Sequence, residues 1–336
     1  MSSTNKTPDA SATLIPSTAK CNRAQKWVCS CCQKGLRPLL KEFGTIRKFL
    51  PKTISTDHFS KNSNKNRLVD ISFIGYSYIL YMDVLCLDET RVILQGRSKE
   101  NDYIHANWVI LPSSRKYICT QGPLEETAED FWLMVFKENV TAIIMLCDIC
   151  ENGEPKCAEY YPSSVGKTLT FGDIKIKNIQ KEKPVDTIIC YTFSVEMSNE
   201  THKLTHYKWG DWPDRVAPAT AVPIVELILR LKSKQPTGPY VVHCSAGIGR
   251  TGTYCAIEYA IDKITMEGNL SIVDVIKEIR RQRLHSVQTT LQYLYLHVTL
   301  IEYLATTKVI QRDANTKKFQ RDYEKYLKKY NEKNAH

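Results

Sequence analysis

The chain has no apolar run long enough to cross a bilayer. Its most apolar stretch, Ile71 to Met82, is twelve residues, well short of the roughly 20 that a transmembrane helix needs. No apolar segment with a cleavage site opens the chain, there is no internal repeat, and the 12 cysteines fall into no regular disulfide or zinc spacing. Together these absences argue against an integral membrane protein, a repeat array and a disulfide-built secreted domain. A reducing cytoplasm is the expected compartment, with most cysteines as free thiols. Large apolar residues are almost missing from residues 1–20, a Ser-, Thr-, Ala- and Pro-rich stretch that reads as disordered. Acidic residues are scarce at both ends. Residues 1–52 set ten Lys/Arg against Asp9 and Glu42, and residues 308–336 set nine against four acids, so the flanks hold more than the whole net charge of +10. A nucleic-acid enzyme would carry its basic excess on the folded domain, so no nucleic-acid partner is expected.

What is present fits one large domain. The 336 residues, 43% hydrophobic, suffice for a full core. The expected division is a basic, Cys-containing disordered leader over 1–37, a folded domain over 38–307, and a basic tail or solvated helix over 308–336. In the leader, Cys21, Cys29, Cys31 and Cys32 lie among Lys20, Arg23, Lys26, Lys34 and Arg37. Two readings stand: S-acylated thiols giving peripheral membrane contact, or unmodified thiols in a mobile leader. Metal ligation ranks behind both, because no second CxxC or His pair follows. Ala142–Leu146 and Tyr240–Val242 are short apolar runs suited to buried strands, and Leu169–Ile176 and Ile188–Phe193 read as further strands. Helical spacing appears at Ile224/Leu227/Ile228/Leu231, at Ile257/Ala260/Ile261/Ile264, at Ile272/Val275/Ile276/Ile279 and at Leu291/Leu294/Tyr295/Val298. The fold class is α/β of the α+β type, a highly twisted mixed sheet flanked by helices.

The string His243-Cys244-Ser245-Ala246-Gly247-Ile248-Gly249-Arg250-Thr251-Gly252 lies between the strand ending at Val242 and the helix carrying Ile257 and Ile261. A glycine-rich strand-to-helix loop turns successive N–H groups inward at the positive end of the helix, which forms an anion nest suited to phosphate. The same field favours a cysteine thiolate. Five residues separate Cys244 from Arg250, so the loop can curl until the guanidinium donates two bonds to phosphate oxygens around the sulfur.

VHCSAGIGRTG resembles the signature loop of the cysteine-dependent protein tyrosine phosphatases, and the resemblance covers roughly residues 38–307. It implies Cys244 as nucleophile, Arg250 as phosphate ligand, Thr251 assisting the departure of the cysteine, and His243 supporting the thiolate. Ser245, Ala246, Gly247, Ile248 and Gly249 would cradle the phosphate. Trp212-Pro213-Asp214, preceded by His206-Tyr207, resembles the mobile loop whose aspartate is the general acid and later the base; protonation helps a leaving group of pKa about 10 depart. Val287-Gln288-Thr289-Thr290-Leu291-Gln292 resembles the segment whose glutamines place the hydrolytic water, although helix capping also accounts for a glutamine at such a position. Lys156 resembles the lysine that meets the aspartate loop when closed. The family implies no cofactor and no metal, and phosphotyrosine-containing proteins as partners.

Three departures stand out. The family's KNRY-x-D is broken after Lys65-Asn66-Arg67. Joining Arg67 to Tyr81-Met82-Asp83 restores it, which makes Leu68–Leu80 a thirteen-residue insertion, either genuine or a retained piece of intron, and makes Tyr81 and Asp83 the pocket residues. Val216 stands where the family commonly has glycine, which would stiffen the aspartate loop if that position needs φ > 0. His285 is bulky where some relatives have a small residue opening a neighbouring pocket. An active phosphatase is the leading reading. The alternatives are a low-activity pseudophosphatase that binds phosphotyrosine or serves as a scaffold, and a dual-specificity or lipid phosphatase; the latter would share only Cys-x5-Arg.

Overall fold

The computed structural model describes residues 18–67, 84–234, 237–267 and 270–333. The expected insertion 68–80 and the candidate residues Tyr81 and Asp83 lie outside the described residues.

Among the described residues one nine-stranded sheet runs through the domain. Its core is four parallel strands in the order β3 (Lys116–Thr120), β11 (Tyr240–His243), β4 (Ala142–Met145) and β10 (Glu200–Trp209). Antiparallel β1 (Arg91–Ile93) and β2 (Tyr103–Ile110) extend one side, and β9 (Ile188–Met197), β8 (Ile174–Val185) and β7 (Thr168–Phe171) the other. The hairpin of β5 (Cys150–Glu151) and β6 (Glu154–Pro155) stands apart from it. β4 and β11 are wholly buried, as continuous apolar runs in a parallel sheet should be. Alternate residues of the central strands serve opposite faces. Tyr117 meets Tyr254 and Cys119 meets Cys255 of α6 (Arg250–Met266), whereas His243 meets Phe131 of α4 (Ala128–Lys137). The mixed sheet with helices is therefore as expected. α5 (Val222–Ser233), α7 (Ile272–Gln282) and α8 (Thr290–Thr306) complete the helical layers.

Both flanks differ from expectation. Instead of a disordered leader over 1–37, α1 (Thr18–Lys34) begins at Thr18, and α2 (Leu36–Ile46) follows Gly35, whose φ of 66° suits a residue without Cβ. Ala24, Val28 and Cys31 are buried one helical turn apart, and Trp27 stacks on His297. Small residues make up that stripe, so the surrounding cations hid it. Burial also pushes the Cys31 thiol far above its ordinary range, and that of Cys32 up to about 11. The C-terminal stretch is a packed helix, α9 (Ala314–Lys333), burying Thr316, Phe319, Tyr323 and Leu327 against α1, α2 and α8. No helix among the described residues is long and apolar enough to cross a membrane.

Candidate active site

The loop from β11 to α6 carries the predicted cluster. Gly247 has φ 73°, and a Cβ there would lie 2.2 Å from the Thr120 carbonyl oxygen, so no other residue fits without displacing β3. The loop carbonyls are tied outward. Ser245 O accepts from Gly122 N–H at 2.8 Å, Ala246 O and Gly247 O accept from the Arg283 guanidinium at 3.2 and 3.0 Å, and Ile248 O accepts from Val287 N–H at 3.1 Å. Trans peptides whose carbonyls face out direct their N–H groups in, which is the geometry of an anion nest. Cys244, 2% exposed, already receives the Gly247 N–H on its sulfur at 3.3 Å.

Arg250 opens α6 with a wholly buried guanidinium. Nη1 donates to Glu151 Oε1 at 2.5 Å and to the Trp212 carbonyl at 2.9 Å, and Nη2 to Asp214 Oδ1 at 3.2 Å. Nε has no partner. Burial opposes the charge, but Cys244, Asp214 and Cys147 together with the Glu151 bond outweigh it and hold the pKa above its ordinary value. A buried cation with one idle donor beside a sulfur is equipped to take an oxyanion.

Asp214 sits at the rim, its side chain 38% exposed, on a loop held by the buried Trp212. Trp212 Nε1 donates to Val216 O at 3.0 Å, and its ring packs edge-on to Tyr295. The left-handed residue of this loop is Arg215, φ 58°, rather than Val216. The valine is therefore not where backbone strain would arise, and the expected stiffening through a positive φ does not apply.

His243 is buried and neutral, its pKa lowered to about 4 chiefly by burial, with the Arg67 and Arg250 cations acting in the same sense. Its Nδ1 faces the Cys244 carbonyl at 3.2 Å and its Nε2 the Tyr160 hydroxyl at 2.7 Å; Tyr160 in turn lies 2.7 Å from His206 Nε2. Thr251 is fully buried and its hydroxyl has no partner. Gln292 fills the capping role that its position also suggested. Its Oε1 caps α8 by accepting from Gln288 N–H and Thr289 N–H at 2.9 and 3.3 Å, while Nε2 is buried without a partner. Both glutamines crowd Gly249, where a Cβ would stand 2.9 Å from Gln288 Oε1 and 3.0 Å from Gln292 Nε2. Ser245 and Ala246 are half-buried at the mouth, and Ile248 is buried beneath it. Lys156 pairs with Glu154 at 2.6 Å.

Sequence reasoning missed Glu151 and Arg283, and read Tyr160, within the family-like segment Lys156 to Pro162, as structural only. Glu151 had a local signal, because Asn152-Gly153 is a two-residue hairpin turn that fixes the strand ends beside it. Arg283 and Tyr160 meet the loop only through the fold.

The family model described as protein-tyrosine phosphatase matches residues 80–302. Tyrosine-protein phosphatase non-receptor type 9 of Mus musculus is 32% identical over 290 residues, covering 80% of this chain and 46% of the relative. Tyrosine-protein phosphatase 69D of Drosophila melanogaster is 33% identical over 277 residues, 78% of this chain and 18% of the relative. Receptor-type tyrosine-protein phosphatase C of Homo sapiens is 34% identical over 275 residues, 80% of this chain and 20% of the relative. The chain thus spans about half, or less, of the length of these curated relatives.

Proposed function

Because this chain belongs to the protein-tyrosine phosphatase family, we propose that it hydrolyses phosphotyrosine in proteins through a phosphocysteine intermediate. The observation that carries this reading is the buried Arg250 guanidinium with an idle Nε beside a loop whose carbonyls are all turned away from Cys244. In the first step the Cys244 sulfur attacks phosphorus, the P–O bond to tyrosine breaks, and Asp214 gives its proton to the leaving oxygen. Loop N–H groups and Arg250 hold the three non-bridging oxygens as charge builds on them. In the second step water held by Gln288 and Gln292 loses a proton to Asp214 and attacks phosphorus, while the Thr251 hydroxyl bonds to the departing sulfur. No step needs a cofactor.

The family match begins at residue 80, one residue before Tyr81. This supports reading 68–80 as an insertion and Tyr81 and Asp83 as the residues that wall the pocket and hold the substrate backbone. Within α1, Cys21, Cys29 and Cys32 are half-buried and Arg23 and Lys26 exposed. This supports a peripheral contact with an anionic membrane through that helix, with Cys31, which faces the core, excluded from acylation. The twelve cysteines are all free thiols, which supports a reducing, cytoplasmic setting.

The test is turnover of a phosphotyrosyl peptide against phosphoseryl and phosphoinositide substrates, with Cys244→Ser alongside. We expect hydrolysis of the phosphotyrosyl peptide alone, and for Cys244→Ser no turnover but retained phosphopeptide binding, since the nest and Arg250 remain. Hydrolysis by the serine variant at more than a trace would remove Cys244 as nucleophile. A wild-type protein that binds without turnover would establish the pseudophosphatase reading instead.

A further inference from the structure

We infer that Arg280 is a positioning residue for the second chemical step, holding the strained segment that aims Gln288 at the water; this rests on the phosphatase reading above. The connection from α7 to α8 contains two non-glycine residues in the left-handed region, His285 at φ 60° and Val287 at φ 60°. Histidine visits that region more readily than most residues, but a β-branched valine does not, so it must be held there by its surroundings. Val287 is wholly buried, and its N–H is taken by Ile248 O of the phosphate loop.

The other holds come from one side chain. Arg280 is 2% exposed and donates Nε to Ser286 O at 2.9 Å and Nη2 to Val287 O at 3.0 Å. Its Nη1 donates to Ile46 O at 2.6 Å and to Arg47 O at 3.1 Å. All four acceptors are backbone carbonyls. The planar guanidinium therefore links the end of α2 to the two peptides on either side of the strained valine, a geometry that a lysine ammonium cannot reproduce.

The next residue is Gln288. Its direction follows from the Val287 dihedrals, and its Oε1 lies against Gly249 in the phosphate loop. A swing of Val287 to an ordinary negative φ would turn the Gln288 peptide away from Gln292 Oε1, which now accepts its N–H at 2.9 Å. Ile248 O, which takes the Val287 N–H, keeps a second donor in Gly252 N–H at 3.2 Å, and Cys244, Arg250 and Asp214 are held by further contacts that involve Gly122, Arg283, Glu151 and Trp212. Loss of the Arg280 bonds should therefore spare formation of the phosphocysteine and slow its hydrolysis. Ile46 and Arg47 lie outside residues 80–302, so the helix before the family match takes part in holding a catalytic segment.

The experiment uses the full chain with p-nitrophenyl phosphate in a rapid-quench instrument, which resolves p-nitrophenol release from phosphocysteine hydrolysis. In Arg280→Lys and Arg280→Met we expect the hydrolysis constant to fall on the order of tenfold, with the formation constant within about twofold of wild type. Glycine adopts φ 60° without strain, so adding Val287→Gly to Arg280→Lys should recover most of the lost hydrolysis rate. Equal slowing of both steps, an unchanged hydrolysis constant, or no recovery by the glycine would each overturn the proposal. If Arg280→Met does not fold, Arg280→Lys decides alone. A wild-type protein that forms no phosphocysteine would instead overturn the phosphatase reading, so the two failures are distinct.

Discussion

Mild acid should destabilise this domain well before its carboxylates titrate, because several histidines are locked in the neutral form. His105 accepts from Arg283 Nη2 on Nδ1 at 3.2 Å, so its Nε2–H donates to Val84 O at 2.6 Å; a second proton would set it against the arginine. Burial, with Arg283 second, lowers its pKa to about 3. Burial also takes His243, His285 and His297 each to about 4, and His206 well below its usual value. In the unfolded chain all five return to about 6.5. A histidine whose folded pKa lies below its unfolded one contributes stability that is whole above pH 6.5 and is lost as pH falls toward the folded pKa. From pH 7.5 to 5.5 each such group forfeits about 1.3 kcal/mol. Five would forfeit about 6.5 kcal/mol, and relaxation around the protonated rings brings the expected loss to about 3–5 kcal/mol, a large part of a typical 5–15 kcal/mol total. The assay is urea unfolding at both pH values, with the slope of free energy against urea compared first to confirm an unchanged transition. His297→Phe, which can still stack on Trp27, should remove about a fifth of the difference. Coincident urea midpoints at pH 7.5 and 5.5, or imidazole NMR titrations above pH 6, would refute the reasoning.

Glu151→Gln keeps an oxygen near Arg250 Nη1 but removes the charge from a 2.5 Å bond, worth about 1–2 kcal/mol. We expect kcat/KM on a phosphotyrosyl peptide to fall about tenfold, with inorganic phosphate inhibiting correspondingly less; equal inhibition of the two proteins would exclude Glu151 from positioning the guanidinium. Ending the chain at Arg312 removes the buried Phe319, Tyr323 and Leu327, costing about 5 kcal/mol and lowering Tm by about 10 °C. Tyr323→Phe, which deletes only the bond to Pro218 O at 2.7 Å, should cost about 1 kcal/mol. An unchanged melting curve for the truncated chain would mean that α9 is a solvated appendage after all.

How much of this was legible in the sequence depended on how far apart the cooperating residues lie. The phosphate loop could be read because its chemistry and its geometry share one contiguous string. The strand that ends at His243, the glycine that needs a positive φ and the helix that starts at Arg250 all fall within a few residues. The mixed sheet was legible for a similar reason, since wholly apolar runs such as Ala142–Met145 suit only a buried strand. The flanks were misread where a helix buries small or polar residues. Ala24, Val28 and Cys31 in α1 carry little apolar weight beside four cations, and α9 spends its stripe on Thr316 and Tyr323 as much as on Phe319 and Leu327.

The supporting contacts were illegible for a different reason. Arg280 and Arg283 look like members of a charged helix end, and only the fold shows that both point inward onto backbone carbonyls, one tying α2 to the Gln288 segment and the other turning the phosphate loop. Long-range partners of this kind leave no spacing rule to detect, since Arg280 and Ile46 are 234 residues apart. Val216 shows the converse error. A departure from the family pattern at one position suggested strain there, yet the left-handed turn falls one residue earlier, on Arg215. A motif locates candidate residues; the strain that a loop stores, and the side chain that holds it, follow from dihedrals and distant carbonyls, which is why Arg280, bonded to the carbonyls on both sides of Val287, belongs to no motif.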